Sequence, residues 1–247
     1  MTDHARDLTN VARRMDYPNQ RPRDAATLIV LDFSGSEPTL LMGRRHERHV
    51  FMPGKFVFPG GRVDPGDSRI SVPEGLDPAV ERKLIADMKG KAGPRRAQAL
   101  GLAAIRETWE ETGLLLGSPA GGSDFRPASR AWAAFVEQGA CPALASLTFV
   151  CRAITPPRRP RRYDTRFFCI SAEHIVHRAA RDAQDNELLD IHWLTFDAAL
   201  ALELPPITKV VLKEVREMLR AAGGLPTAAQ PVPYYYMRNG VFERHLI

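Results

Sequence analysis

The sequence predicts an α/β fold, helices laid over a mixed sheet. Two observations carry that expectation. Short β-branched apolar runs alternate with amphipathic helical stretches, without internal repeats. The 247 residues are 44% hydrophobic and 26% charged, with 18 Gly and 20 Pro, ordinary usage for a chain that buries a core. At roughly 100–200 residues per domain, one domain over 1–247 is expected, with a helical insertion at about 68–100 and a C-terminal helical extension at about 196–247.

Each element has a local reason. Ala26 to Phe33 and Thr39 to Gly43 read as paired strands around a Ser-Gly-Ser-Glu-Pro turn. Phe56 to Phe58 reads as a short strand stopped by Pro59-Gly60-Gly61. Asp77-Pro78 has the form of an N-cap and first turn for a helix to Gly90, broken by Gly93-Pro94. The most regular helix is Arg95 to Thr112, ended by Gly113. Further helices are expected at Arg126 to Gln138, from Phe196, and at Ile207 to Ala222, with helical additions spanning 126–148 and 207–222. Strands are expected at Phe149 to Ile154, Thr165 to Ile170 and Ile191 to Leu194.

Composition excludes several classes. No apolar stretch approaches the ~20 residues of a membrane span, and Met1 to Gln20 has no apolar h-region, so a cytoplasmic protein without a membrane partner is expected. Cys141, Cys151 and Cys169 form no C-x-x-C pair and read as buried, inert thiols. The net charge is +5, and one window accounts for it: Arg152 to Arg166 holds six arginines against Asp164. A nucleic-acid binder spreads its cations along a face and carries a base-reading motif; neither is present, so no nucleic acid is expected. The cluster is either a solvated loop or a grip for a small phosphorylated ligand, in which Arg158, Arg159, Arg161 and Arg162 would contact a terminal phosphate.

The informative segment is Arg106 to Leu114, RETWEETGL. On a helix Glu107, Glu110 and Glu111 fall at i, i+3 and i+4, so three carboxylates share one face, while Leu102, Ile105 and Trp109 face the sheet. Arg106 is expected to point aside and leave them under-neutralised. Such a face is either solvated or built for a hard divalent cation, which prefers carboxylate oxygens. Weaker candidates are His46-x-x-His49 and His174-x-x-His177, each short of a third zinc ligand, and Tyr234-Tyr235-Tyr236, either a core-closing aromatic patch or a stacking platform.

RETWEETGL resembles the second half of the Nudix box, the pattern Gly, five residues, Glu, seven residues, Arg-Glu-apolar-any-Glu-Glu-any-Gly-apolar. Phe58-Pro59-Gly60-Gly61 through Asp67 resembles the first half, with Asp67 in place of Glu and Thr108 at an apolar position. Residues 68 to 105, 38 in all, stand where the pattern has seven; closure entropy grows slowly with loop length, so the insertion need not harm a site. Phe51-Met52-Pro53-Gly54 and Arg161-Arg162-Tyr163-Asp164-Thr165-Arg166-Phe167-Phe168 resemble a long-insertion branch that includes peroxisomal diphosphatases of coenzyme A and acyl-coenzyme A. Val50 stands where the coenzyme A signature has Arg.

The resemblance implies a Nudix α/β/α sandwich with a mixed sheet. It implies a hydrolase of nucleoside-diphosphate derivatives dependent on Mg2+ or Mn2+, with Glu107, Glu110, Glu111 and the Gly60 carbonyl as metal ligands. Gly61, Asp67 and Gly113 would support them, and Arg106 would orient Glu107. The general base would be Glu107 or Glu187. NADH, ADP-ribose or another dinucleotide is the alternative substrate, a ligand-sensing module without turnover the alternative role, and a homodimer a common assembly of such proteins.

Overall fold

The computed structural model describes residues 2–46, 54–120, 125, 127, 130–179 and 188–247. Strand β1 (Arg23–Asp32) organises it. Side chains of a strand alternate between faces: Ala26, Leu28 and Val30 enter one core, Ile29 and Leu31 the other. Along one edge β1 pairs in parallel with β8 (Tyr163–Ser171), from Arg23 opposite Tyr163 to Leu31 opposite Ser171.

Along its other edge β1 changes partner. Leu31 and Asp32 pair antiparallel with β2 (Thr39–Arg45), which carries β3 (Phe56–Val57), while Ala25, Ala26 and Thr27 pair with β4 (Gly60–Arg62). Pro59-Gly60-Gly61, expected only to stop a strand, therefore opens a new one. Adding β7 (Thr148–Ile154), β10 (Leu188–Thr195), β11 (Pro233–Arg238) and β12 (Val241–Leu246) gives the order β10-β2-β1-β8-β7-β11-β12. A second, three-stranded sheet joins β6 (Ala140–Pro142), β5 (Leu114–Pro119) and β9 (Ile175–Arg178).

Helices cover both faces, as an α/β/α sandwich requires. On one face α2 (Pro78–Ile85) and α3 (Pro94–Thr112) bury Val80, Leu84, Leu100 and Ala104 against Leu28 and Phe168. On the other, α1 (Asp3–Asn10), α5 (Phe196–Ala201) and α6 (Pro206–Ala222) bury Leu8, Ala199, Val211 and Val215 against Ile29 and Phe167. Among the described residues no helix is long and apolar enough to cross a membrane.

Four expectations are corrected. The helix from Pro78 stops at Ile85 rather than Gly90, because Ala86 turns extended and Asp87 adopts φ 59°. The stretch Arg126 to Gln138 is helical only over α4 (Ala133–Glu137), after a 3-10 turn at Arg130–Trp132, with 126, 128 and 129 outside the described residues. The segment 196–247 is not helical throughout: β11 and β12 form a hairpin over Asn239 and Gly240, whose φ of 49° and 81° suit a tight hairpin turn. The arginine window is not one surface cluster, since Arg152 and Arg166 are wholly buried.

Those two belong to an ionic layer between the sheet and the α2–α3 pair. Arg152 grips Asp164 through Nε and Nη2 at 2.9 and 2.8 Å and stacks on Tyr234, 4.3 Å from the ring centre. Arg166 donates to Asp24 at 3.0 Å and pairs with Asp164 at 3.1 Å; Arg96 holds Asp24 at 2.6 and 3.0 Å. Burial penalises the Asp24 carboxylate, yet Arg96 and Arg166 hold it below the usual range. Tyr235, also buried, bonds Glu214, so the tyrosine run closes the core. All three cysteines are buried, and burial pushes the Cys151 and Cys169 thiols up, as inert thiols require.

Candidate active site

Helix α3 lays its apolar residues Leu102 and Ile105 into the core and brings Glu107, Glu110 and Glu111 to its C-terminal turns. Gly113 ends it at φ 69°, its N–H bonded to the Trp109 carbonyl, a left-handed cap that a residue with a Cβ adopts at a cost. The turn that faces this end is Gly60-Gly61, held in place by the β1–β4 ladder.

Arg106 is the hub rather than a bystander, contrary to the expectation that it points aside. Nη1 donates to Glu107 Oε1 and Glu110 Oε2, each at 2.9 Å. Nε and Nη2 grip the two Asp67 oxygens at 2.9 Å, and Nη2 also reaches the Arg62 carbonyl at 3.2 Å. The physical reason is burial: Arg106 is 8% exposed and Asp67 2%, and a buried guanidinium persists only among counter-charges. Burial alone would lower its pKa; Asp67, then Glu107 and Glu110, lift it above the ordinary arginine value. Arg106 thus pairs with three carboxylates at once, and Asp67 reaches it despite the shorter side chain, its Oδ2 accepting also the Asp64 N–H at 2.8 Å.

Glu111 is handled separately. Buried at 4% exposure, its Oε2 accepts the Gly60 N–H at 2.8 Å. Gly61 lies against Glu107: a Cβ there would stand 2.4 Å from Glu107 Cδ and 2.5 Å from each carboxylate oxygen. At Gly60 a Cβ would meet the Ala26 carbonyl at 2.5 Å. The Gly-Gly pair is therefore dictated by close approach on both sides, to a carboxylate on one and to backbone on the other.

Beside this turn opens a cleft of about 1170 Å³. Among the described residues Glu107 is its one acidic lining residue, against eight Arg or Lys, including Arg45, Lys55, Arg62, Arg159 and Arg161. Leu8, Phe58, Phe167, Ile207 and Phe242 give it an apolar side. Of the predicted phosphate contacts, Arg159, Arg161 and Arg162 line the cleft and Arg158 does not. Arg162 is engaged with the Thr155 and Gln20 carbonyls at 2.9 Å and Arg159 with the Arg14 carbonyl at 3.0 Å, leaving Arg161 exposed and without a hydrogen bond among the described residues. Glu187, the second candidate base, and His49 lie outside the described residues. His177 packs on Trp109 with ring centres 6.1 Å apart.

The fit of a divalent cation rests on donor chemistry. Glu107 and Glu111 offer hard oxygens against the Gly60-Gly61 turn and Glu110 one helical step away, while among the described residues no three Asp, Glu, His or Cys side chains converge as a ready metal site. Magnesium is held by few protein carboxylates, the remaining positions going to water and substrate phosphates, so an open arrangement suits it. Sequence reasoning missed Arg45, Lys55 and Arg62; their signal is placement on or beside strands that border Gly60-Gly61.

A buried Arg–acid hub, a Gly-Gly turn and a cleft lined chiefly by cations and apolar side chains, with Glu107 its one acid among the described residues, thus lie side by side. No family model matches the chain. Among solved structures it is similar to a NUDIX hydrolase from Alicyclobacillus acidocaldarius at 26% identity, covering 84% of this chain and 98% of that one, with a TM-score of 0.61. It is less similar to the NUDIX domain of Shewanella oneidensis NrtR in complex with ADP ribose (14% identity, 89% and 99% covered, TM-score 0.45) and to RenU, a Nudix hydrolase from M. smegmatis (16%, 83% and 89%, 0.44). The fold is that of Nudix hydrolases. The likeness supports the Nudix family, whose members generally use divalent metal ions, and an enzyme that acts on pyrophosphate bonds.

Proposed function

We infer that the chain is a Mg2+- or Mn2+-dependent diphosphatase that cleaves a nucleoside-diphosphate derivative, with coenzyme A or an acyl thioester of it the favoured substrate. The observation that supports this reading is the placement of Glu107: in contact distance of the Gly60-Gly61 turn, tied to Arg106, and the one acid among the described residues of a cleft rich in cations and apolar side chains. A diphosphate joined to a nucleotide on one side and a long, partly apolar arm on the other matches that mixed lining.

Glu107, Glu110, Glu111 and the Gly60 carbonyl would hold the cation. A cation held there screens the diphosphate oxygens and acidifies water. Arg106 fixes the carboxylate of Glu107 so that it can accept a proton from the attacking water; Glu187 is the second candidate for this step. The cleft cations, Arg161 first, draw the anion in and offset charge gathering on the phosphate oxygens. Glu107, Glu110 and Glu111 are all retained, which weighs against a purely ligand-sensing role.

The test is hydrolysis of coenzyme A, acetyl-coenzyme A, NADH and ADP-ribose in labelled water with Mg2+ or Mn2+, scored by which phosphorus gains the solvent oxygen. Glu111→Gln keeps an acceptor for the Gly60 N–H and so keeps the fold, yet is expected to lower kcat by about 10²-fold or more, the scale for one lost electrostatic stabiliser. Unchanged activity in Glu111→Gln contradicts the metal site; turnover of ADP-ribose or NADH without coenzyme A redirects the substrate.

A further inference from the structure

A second cleft, of about 830 Å³, lies between the segment 62–68 and the segment 91–99 that leads into α3. Its size falls in the range of roughly 300–1,000 Å³ typical of small-ligand sites. It is lined by five cations, Arg23, Arg62, Lys91, Arg95 and Arg96, against Asp24 and Asp64. Asp24 is already paired with Arg96 and Arg166, which leaves Asp64, its Oδ1 accepting the Gly66 N–H at 2.7 Å, as one negative charge against Arg23, Arg62, Lys91 and Arg95 among the described residues. The side chains of Arg23, Arg62, Lys91 and Arg95 are exposed and form no ion pair among the described residues.

The positive charge extends beneath the surface. Arg96, Arg152 and Arg166 share two carboxylates, Asp24 and Asp164, and Nε and Nη2 of the wholly buried Arg166 have no hydrogen-bond partner among the described residues. Three guanidiniums on two carboxylates leave the wall behind the cleft with a surplus positive charge in a low-dielectric setting, where charge acts at longer reach than in water. Lys91 and Arg95 come from the 38-residue stretch between Asp67 and Arg106, so this lengthened segment supplies cations to a place away from the Glu107, Glu110 and Glu111 carboxylates.

We propose that this second cleft binds a phosphate group, contacted chiefly by Lys91 and Arg95. The two clefts share Arg23 and Arg62 on their linings, so the phosphate belongs either to a ligand whose other end lies in the first cleft or to a free phosphate anion. Binding at this site requires neither metal nor turnover and stands apart from the hydrolase reading.

The experiment is a calorimetric titration of the full chain with inorganic phosphate at low ionic strength, in the presence of a chelator. Lys91→Ala with Arg95→Ala is expected to weaken phosphate binding at least tenfold while the melting temperature stays unchanged, because neither side chain has a partner to lose. Equal affinity in the parent and the double variant, meaning that phosphate enters the first cleft alone, overturns the proposal, as does no measurable binding to the parent. If the double variant melts early, Arg95→Ala alone gives the same readout. Competition between phosphate and coenzyme A identifies the phosphate of a bound ligand; undiminished phosphate affinity in saturating coenzyme A identifies the free anion.

Discussion

Replacing Gly61 by Ala tests the site through one methyl group. The added Cβ would stand 2.4–2.5 Å from the Glu107 carboxylate, about 1 Å inside ordinary van der Waals contact. The atoms it meets are the end of a flexible side chain, so Glu107 swings away and surrenders its 2.9 Å bond to Arg106. Such overpacking costs about 1–3 kcal/mol, and at about 2–4 °C per kcal/mol for a chain of this size the melting temperature falls by a few degrees. Activity is expected to fall by about 10²-fold, the scale of a displaced ligand or electrostatic stabiliser. The comparison is Gly60→Ala, whose Cβ would strike the Ala26 carbonyl at 2.5 Å and Thr27 Cα at 2.6 Å. Those are backbone atoms of the central strand and cannot step aside, so Gly60→Ala is expected to lose more stability than Gly61→Ala. Thermal melts, Mn2+ titration and the hydrolysis assay report the three effects. A Gly61→Ala protein with parental activity and cation affinity would refute the close seating of Glu107 as a functional requirement.

Other expectations follow from neighbouring geometry. Asp67→Asn removes the main counter-charge of buried Arg106 and is expected to lower unfolding free energy by about 3–5 kcal/mol, the scale for a broken buried pair, read by chemical denaturation. Arg161→Ala is expected to raise KM for coenzyme A more than it lowers kcat, and more than Arg158→Ala does, since Arg161 lines the cleft and Arg158 does not. Asp24 and Glu214 both have carboxyl pKa values below their ordinary 3.8 and 4.5: burial opposes their charge, but Arg96 and Arg166 for the first, and Arg244 and Tyr235 for the second, prevail. The unfolded chain therefore takes up protons first as pH falls, so stability is full above these ordinary values and declines as pH drops through them toward the folded values. Asp24→Asn is expected to flatten that decline in acid-melting curves; an unchanged slope would show that the pair contributes nothing to it.

The helix bearing Glu107, Glu110 and Glu111 was legible because the 3.6-residue period and the Gly113 stop are local signals. The central strands were legible for the same reason, as apolar runs such as Ala26 to Leu31. Burial of Arg152 and Arg166 was hidden because it depends on Asp24, more than 120 positions away in sequence, and on Asp164. The hub role of Arg106 was hidden too, since its partner Asp67 lies 39 positions back and only the folded sheet brings them together. The β11–β12 hairpin carried a local signal that went unread: Asn239-Gly240 between the runs YYYM and VFER is a two-residue hairpin turn by composition. The tyrosine run does not reveal that Tyr235 enters a core while Tyr234 stacks on Arg152, because the arginine lies on a different strand.

The grip of Arg106 on Asp67 also bears on chain continuity. Four hydrogen-bonding atoms, Nε and Nη2 of one and the two oxygens of the other, clasp the short turn that follows β4 to the helix without help from the peptide that connects them. Val72 to Gly75 runs between this clasp and α2 without regular secondary structure. A protease nick there would leave two pieces locked by the clasp and by the sheet, with the acidic turn of the helix still facing Gly60.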